Sequence, residues 1–163
     1  MQQVQEVRLQ RVSLQQVPDW LQGMMKLQSL DISGNALACN QVFARQLSER
    51  LVHLCLAKNN IANCSQLLQC SFPRLKHLDL AHNLILKFGD LINLQYLPNL
   101  QLLYLHGNPI TIHPYYRRNV FICLGKRYQF VSLDSQTLSE SEKYLVDLHC
   151  VVTEQFFEHR IYF

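Results

Sequence analysis

Apolar residues return along this chain in one fixed eleven-position frame, with leucine or isoleucine at positions 1, 4, 6 and 11 and asparagine at position 9. Leu27, Leu30, Ile32, Asn35 and Leu37 fill it, as do Leu51, Leu54, Leu56, Asn59 and Ile61. It recurs at Leu75, Leu78, Leu80, Asn83 and Ile85, and at Leu100, Leu103, Leu105, Asn108 and Ile110. Looser copies flank these: Val4, Val7, Leu9, Val12 and Leu14 come first, and Tyr128, Val131, Leu133, Gln136 and Leu138 come last. The starts step by 23, 24, 24, 25 and 28 residues. Self-similarity at such a period marks stacked supersecondary units, none of which can bury its apolar face alone.

The second and third apolar positions stand two apart, so on a short strand both side chains point to the same face. Stacking the coils then buries that face in one continuous core. The asparagine falls where the chain leaves the strand, where its amide can satisfy backbone groups of the turn and of the next coil. Both outermost copies lack it, as terminal repeats do. Gly34 and Gly107 directly precede repeat asparagines and shape turns there. The frame resembles the leucine-rich repeat. The expected fold is α/β: a right-handed horseshoe solenoid of about six repeats, with a parallel sheet on the concave face and short helices or loops on the convex face.

Between strands, Gln41 to Arg50 carries Val42, Phe43 and Leu47 at helical spacing, and Asn63 to Cys70 and Asp90 to Leu97 suit one or two helical turns. Pro73 and Pro98 stop the return segments before the next strands. After Ile110 the pattern changes. Pro114 opens a stretch with Tyr116, Val120 and Leu124 four apart, which predicts a helix to about Leu124. Ser139 and Glu142 form a capping-box pattern at the start of a helix that is clear through about Leu148. Beyond it, both helix and strand fit the sequence. The expected organisation is a solenoid over 1–138, its cap at about 108–138, and a tail over 139–163 that packs on the solenoid or on a partner.

Composition narrows the class of function. With 163 residues, 48% hydrophobic and 17% charged, the chain suits one globular domain. A formal charge of +3 allows contact with RNA or an acidic partner without pointing to nucleic acid. The leading residues show no apolar h-region, and no run reaches the ~18 apolar residues of a membrane span. The six cysteines are scattered rather than clustered at the ends, which favours reduced thiols in the cytosol or nucleus.

Residues on either side of the second leucine face outward. One row reads Glu6, Ser29, His53, His77, Leu102 and Phe130; the other reads Arg8, Asp31, Cys55, Asp79, Tyr104 and Ser132. Leu102, Tyr104 and Phe130 form an apolar, aromatic patch beside Asp31, Asp79, Lys58, His82 and His106, the composition of a protein-binding hot spot. A solvated strand face is the bland alternative. His53, Cys55, His77 and Asp79 also offer zinc-type ligands from adjacent coils, but no CxxC or HxxxH spacing supports a metal, and none is expected. No phosphate-binding loop, nucleophile elbow or HExxH occurs, so neither catalysis nor a cofactor is expected. Tyr115-Tyr116-Arg117-Arg118 interleaves aromatic and basic residues as single-strand binders do. Tyr116 reads better as a packed cap residue, which leaves Arg117, Arg118, Lys126 and Arg127 as the candidate phosphate contacts.

The run Asn108-Pro109-Ile110-Thr111, then Tyr116-Arg117, Val120 and Leu133-Asp134, resembles the C-terminal cap of short intracellular leucine-rich proteins. Within that group, Phe88-Gly89-Asp90-Leu91 and the repeat lengths are most similar to the A-prime subunit of the U2 small nuclear ribonucleoprotein. That resemblance implies a nuclear, non-catalytic scaffold whose concave face holds an RNA-recognition-motif protein, with RNA bound through the pair in pre-mRNA splicing. Asp79, Tyr104 and Phe130 would then be partner contacts. A ciliary, axonemal or cytoskeletal adaptor with a cytoplasmic location and no RNA role is the alternative.

Overall fold

In the computed structural model, the described residues are 3–38, 43–65, 67 and 71–158; the side chains of Lys126 and of residues 150–158 lie outside the description. Six short strands form one parallel sheet in chain order: β1 Glu6–Arg8, β2 Ser29–Asp31, β3 His53–Cys55, β4 His77–Asp79, β5 Leu102–Tyr104 and β6 Ser132–Leu133. Consecutive order in an all-parallel sheet requires each connection to return to the starting edge, which is the solenoid the spacing predicts. Val7, Leu30, Leu54, Leu78, Leu103 and Leu133 stand opposite one another across the strands. From Leu30 onward this row is buried, as are Ile32, Leu56, Leu80 and Leu105 behind it. At about 25 cal/mol per Å² of apolar surface, this stacked leucine column is the main source of stability.

The polar scaffold of the turns is a column of asparagines. Asn59 donates to the carbonyls of Ile32, Leu56 and Ala57, and its Oδ1 accepts from the Leu37 amide at 3.1 Å. Asn83 repeats the arrangement one coil later, accepting from Ile61 and donating to Leu56, Leu80 and Ala81. Asn35 and Asn108 do the same at the ends of the row. Each amide therefore reaches the preceding coil, opposite to the direction the sequence suggested. The residue before each asparagine is left-handed: Gly34 at φ 68°, Lys58 at 56°, His82 at 53° and Gly107 at 73°. A Cβ on Gly107 would lie 2.3 Å from His82 Nδ1, so glycine is required there for two reasons.

The return segments are tighter than helical spacing alone suggests. Residues 39–42 lie outside the described set, and the described part of the first predicted helix is a single turn, Arg45–Ser48, with Phe43 and Leu47 buried. Most of the predicted Asn63–Cys70 turn also lies outside the described residues. Phe88–Tyr96 is 3-10 helix, burying Leu91 and Leu94 three residues apart, the spacing of that helix.

The cap helix spans Tyr116–Cys123 and is followed by a 3-10 segment, Gly125–Phe130. This added length shifts the last strand. Leu133, and not Val131, pairs with Leu103. A helix over Glu140–Glu158 follows, opened by the expected capping box: the Glu142 amide donates to Ser139 Oγ and the Ser139 amide to Glu142 Oε2. It settles the open choice for the tail in favour of helix as far as Glu158. Val146 is buried against the cap, and Tyr128 hydroxyl donates to Asp147.

Candidate protein-binding face

The strand register assembles the outward rows. Glu6, Ser29, His53, His77 and Leu102 align as predicted, and so do Arg8, Asp31, Cys55, Asp79 and Tyr104. The final coil corrects both rows. Ser132 stands beside Leu102, while Phe130 lies outside the strand, two-thirds exposed at the end of the 3-10 segment with Arg127 5.8 Å from its ring centre. Matching Val131 to the second leucine misassigned them, because the cap's added turns are invisible to a fixed template. Asp134 follows instead at the end of the second row.

Across the middle coils the side chains touch. The His53 and His77 rings meet edge to face at 4.2 Å between centroids. Cys55 Sγ donates to Asp79 Oδ2 at 3.6 Å. Asp31 accepts from the Ser33 amide and from Gln10, and Asp79 from the Ala81 amide, so each carboxylate is aimed by its own turn. Tyr104 hydroxyl accepts from Ser135 Oγ at 3.3 Å, and its ring lies 6.1 Å from His106. His82 and His106 stack edge to face at 5.1 Å, over the space that Gly107 leaves open. Glu6, Arg8, Asp31, His53, Cys55, His77, Asp79 and Tyr104 line one shallow hollow across the sheet.

The electrostatics of this hollow suit recognition better than reaction. Burial pushes the Cys55 thiol up to about 12, with Asp79 and Asp31 adding to the rise, so it is no thiolate at neutral pH. Burial lowers His77, and neighbouring His53 and Lys76 lower it further, which keeps the imidazole neutral. Burial alone would raise Asp31, but the hydrogen bonds from Ser33 and Gln10 leave it below the usual carboxylate range. Among the described residues, no group of three His, Cys, Asp or Glu side chains is placed to hold a metal ion.

The basic candidates separate. Arg117 is taken up by the cap, with Nε on Glu142 Oε1 at 2.8 Å, Nη1 on the Leu133 carbonyl and Nη2 on the Thr137 carbonyl. Its guanidinium braces the final coil, and this bonding removes it from the phosphate candidates. Arg118 lies over the Tyr115 ring at 4.5 Å, Arg127 lies near Phe130, and the Lys126 side chain is outside the described residues. Tyr116 is buried and donates to Asp134 Oδ2 at 2.7 Å, while Asp134 Oδ1 accepts from the Leu105 and His106 amides. The sequence reading missed Asp134 as the terminal counterpart of the asparagines. Its place just after the last strand leucine was the available signal.

Comparison with known proteins agrees with this geometry. A leucine-rich repeat family model matches residues 4–146. Leucine-rich repeat-containing protein 43 of Mus musculus is 32% identical over 122 residues, covering 72% of this chain and 18% of that protein. The Homo sapiens protein of the same name is 30% identical over 123 residues, covering 73% of this chain and 18% of its own length. The chain thus spans under a fifth of those relatives. Among solved structures, a chain of the Drosophila melanogaster SNF/U2A' complex superposes with a TM-score of 0.72 at 22% identity, over 87% of this chain and 79% of that one. At that identity the likeness shows the fold. No helix among the described residues is long and apolar enough to cross a membrane. With a family model covering the whole sheet and cap, the chain belongs to the leucine-rich-repeat family.

Proposed function

We propose that the chain is a non-catalytic adaptor that seats a protein partner on the concave face of its sheet, centred on β3 to β5, and that this partner is an RNA-recognition-motif protein in a nuclear splicing particle. The observation carrying the reading is the touching, partly exposed array of His53, His77, Asp79, Leu102 and Tyr104, which couples an aromatic anchor to an aimed carboxylate. Likeness to a chain solved in the SNF/U2A' complex supports the choice of partner. With Arg117 held in the cap, RNA would be touched through Arg118, Lys126 and Arg127, and mainly through the partner. A second reading is an adaptor module of a larger protein, ciliary or cytoskeletal and without RNA; the larger size rests on this chain matching only 18% of its sequence relatives.

Affinity purification of the tagged chain, beside a Tyr104→Ala, Asp79→Arg variant, tests both. The expected result is an RNA-recognition-motif protein with its RNA, both lost in the variant, with affinity reduced by about 2 kcal/mol or more. Axonemal or cytoskeletal proteins recovered without RNA would select the second reading. Undiminished binding by the variant would reject this face altogether.

A further inference from the structure

A basic ladder runs along the edge of the sheet where the strands begin. Lys26, Arg50 and Arg74 each directly precede the first leucine of a coil, one per coil, and Lys76 stands two residues further into the fourth. Their alignment is fixed by the backbone. The Val52 amide donates to the Gln28 carbonyl and the Lys76 amide to the Val52 carbonyl, so the register of the strands continues toward this rim. Lys26, Arg50 and Arg74 share a groove with Met25 and Gln28, next to the histidine and aspartate hollow. Lys26, Arg74 and Lys76 are exposed. Among the described residues, no carboxylate ion-pairs with any of the four. Lys26 donates to Gln3, Arg50 Nη2 reaches Met25 Sδ at 3.7 Å, and Arg50 Nη1 is shielded without a hydrogen-bond partner.

Resting on the proposed concave-face reading, we infer that the segment seated there is a helix with an acidic stripe, which lies across the strands against Lys26, Arg50, Arg74 and Lys76. Coils follow one another at about 4.8 Å, close to the ~5–6 Å between side chains three or four apart on a helix, so one carboxylate per helical turn meets one cation per coil. The opposite flank of that helix faces Asp31 and Asp79. These carboxylates stand five residues beyond Lys26 and Arg74 along their strands and select neutral or basic side chains. A helix about 10 Å wide can present different charges to its two sides. Such a helix can turn a neutral or basic flank toward the two aspartates, whereas a nucleic-acid strand carries phosphates along its whole length, which favours the peptide.

Photo-crosslinking with the full chain tests this. Benzoylphenylalanine replaces Gln28 on the basic rim in one variant and Leu102 in the aromatic patch in another. The rim position is expected to cross-link a partner segment carrying acidic residues three or four apart. Lys26→Glu, Arg50→Glu, Arg74→Glu should lower association about tenfold at roughly 50 mM salt, far less at roughly 500 mM, with unchanged melting. Replacing the partner's acidic stripe with lysines should restore binding to that triple variant. Cross-links from the rim to RNA, or to a segment without acidic residues, would overturn the inference. So would silence at Gln28 while the Leu102 position captures a partner, which leaves the concave-face reading standing. Silence at both positions would overturn both.

Discussion

The middle coils and the terminal cap solve the same problem with different chemistry. Where the chain leaves each inner strand, Asn59 and Asn83 use a neutral amide, accepting from an amide of the coil before and donating to carbonyls of two coils. Where the last strand ends, Asp134 only accepts, from the Leu105 and His106 amides and from Tyr116 hydroxyl. An inner turn is closed on both sides, so a charge there would be desolvated with carbonyls beside it and no donor to offset them. The final turn has helix and tail instead of a further coil, and its one charge is met by three donors. Burial pushes the Tyr116 hydroxyl far above its ordinary value, with Asp134 adding to it, so it stays protonated and donating. Repetition specifies the inner solution; a single negative residue specifies the outer one.

Exchanging the two residues is the strongest way to break this comparison. Asn83→Asp places a carboxylate against the Leu56, Leu80 and Ala81 carbonyls and should cost more than about 3 kcal/mol in denaturant unfolding. A loss under about 1 kcal/mol would show that the inner turns tolerate charge. Leu80→Ala, in the fully buried column, should cost roughly 2–5 kcal/mol by the same assay. The reverse exchange, Asp134→Asn, keeps an oxygen for both amides and turns an NH2 toward Tyr116, whose hydroxyl then accepts. It should cost about 1 kcal/mol, read as faster amide exchange in the cap ahead of the solenoid.

The smallest effect concerns pH. The Arg117 hydrogen bond, with those from Ser139, holds Glu142 below its ordinary value against the opposing effect of burial. A depressed carboxylate contributes stability that is present above its unfolded value and lost as pH falls through the folded one. The Arg117–Glu142 tie should therefore loosen below about pH 4, with a loss under about 1 kcal/mol for a pair that solvent still partly screens. Titrated amide exchange at residues 140–149 would reveal it, and Glu142→Gln should abolish the step. If acid leaves the cap of the wild type unchanged, the pair adds nothing to it.

The sequence was most legible where the molecule repeats itself. Four strands and the asparagine column follow from leucines and asparagines at a nearly constant step, because a parallel ladder admits one register once one face must be buried. Legibility ended where the step changed. The 3-10 segment Gly125–Phe130 inserts turns that no periodic template counts, so the last register slipped by two and Phe130 was drawn into a strand row it does not join. Composition also concealed the fate of Arg117. A basic residue beside tyrosines suits RNA equally well until Glu142, far along the chain, is seen to hold it. On the concave face the rows through Tyr104 were readable, but the direction in which each asparagine bonds was not, since both neighbouring coils offer backbone groups.

That direction has a consequence for biosynthesis. Leu37, Ile61 and Ile85 donate their amides to Asn59, Asn83 and Asn108 of the coil that follows, so each turn is completed by residues made later. On the ribosome, a nascent coil leaves the exit tunnel with its turn amides exposed and waits for its successor to fasten them. Assembly is locked from the C-terminal end, and a chain released early carries an unfinished edge at its newest coil, with turn amides that have no later asparagine to accept them.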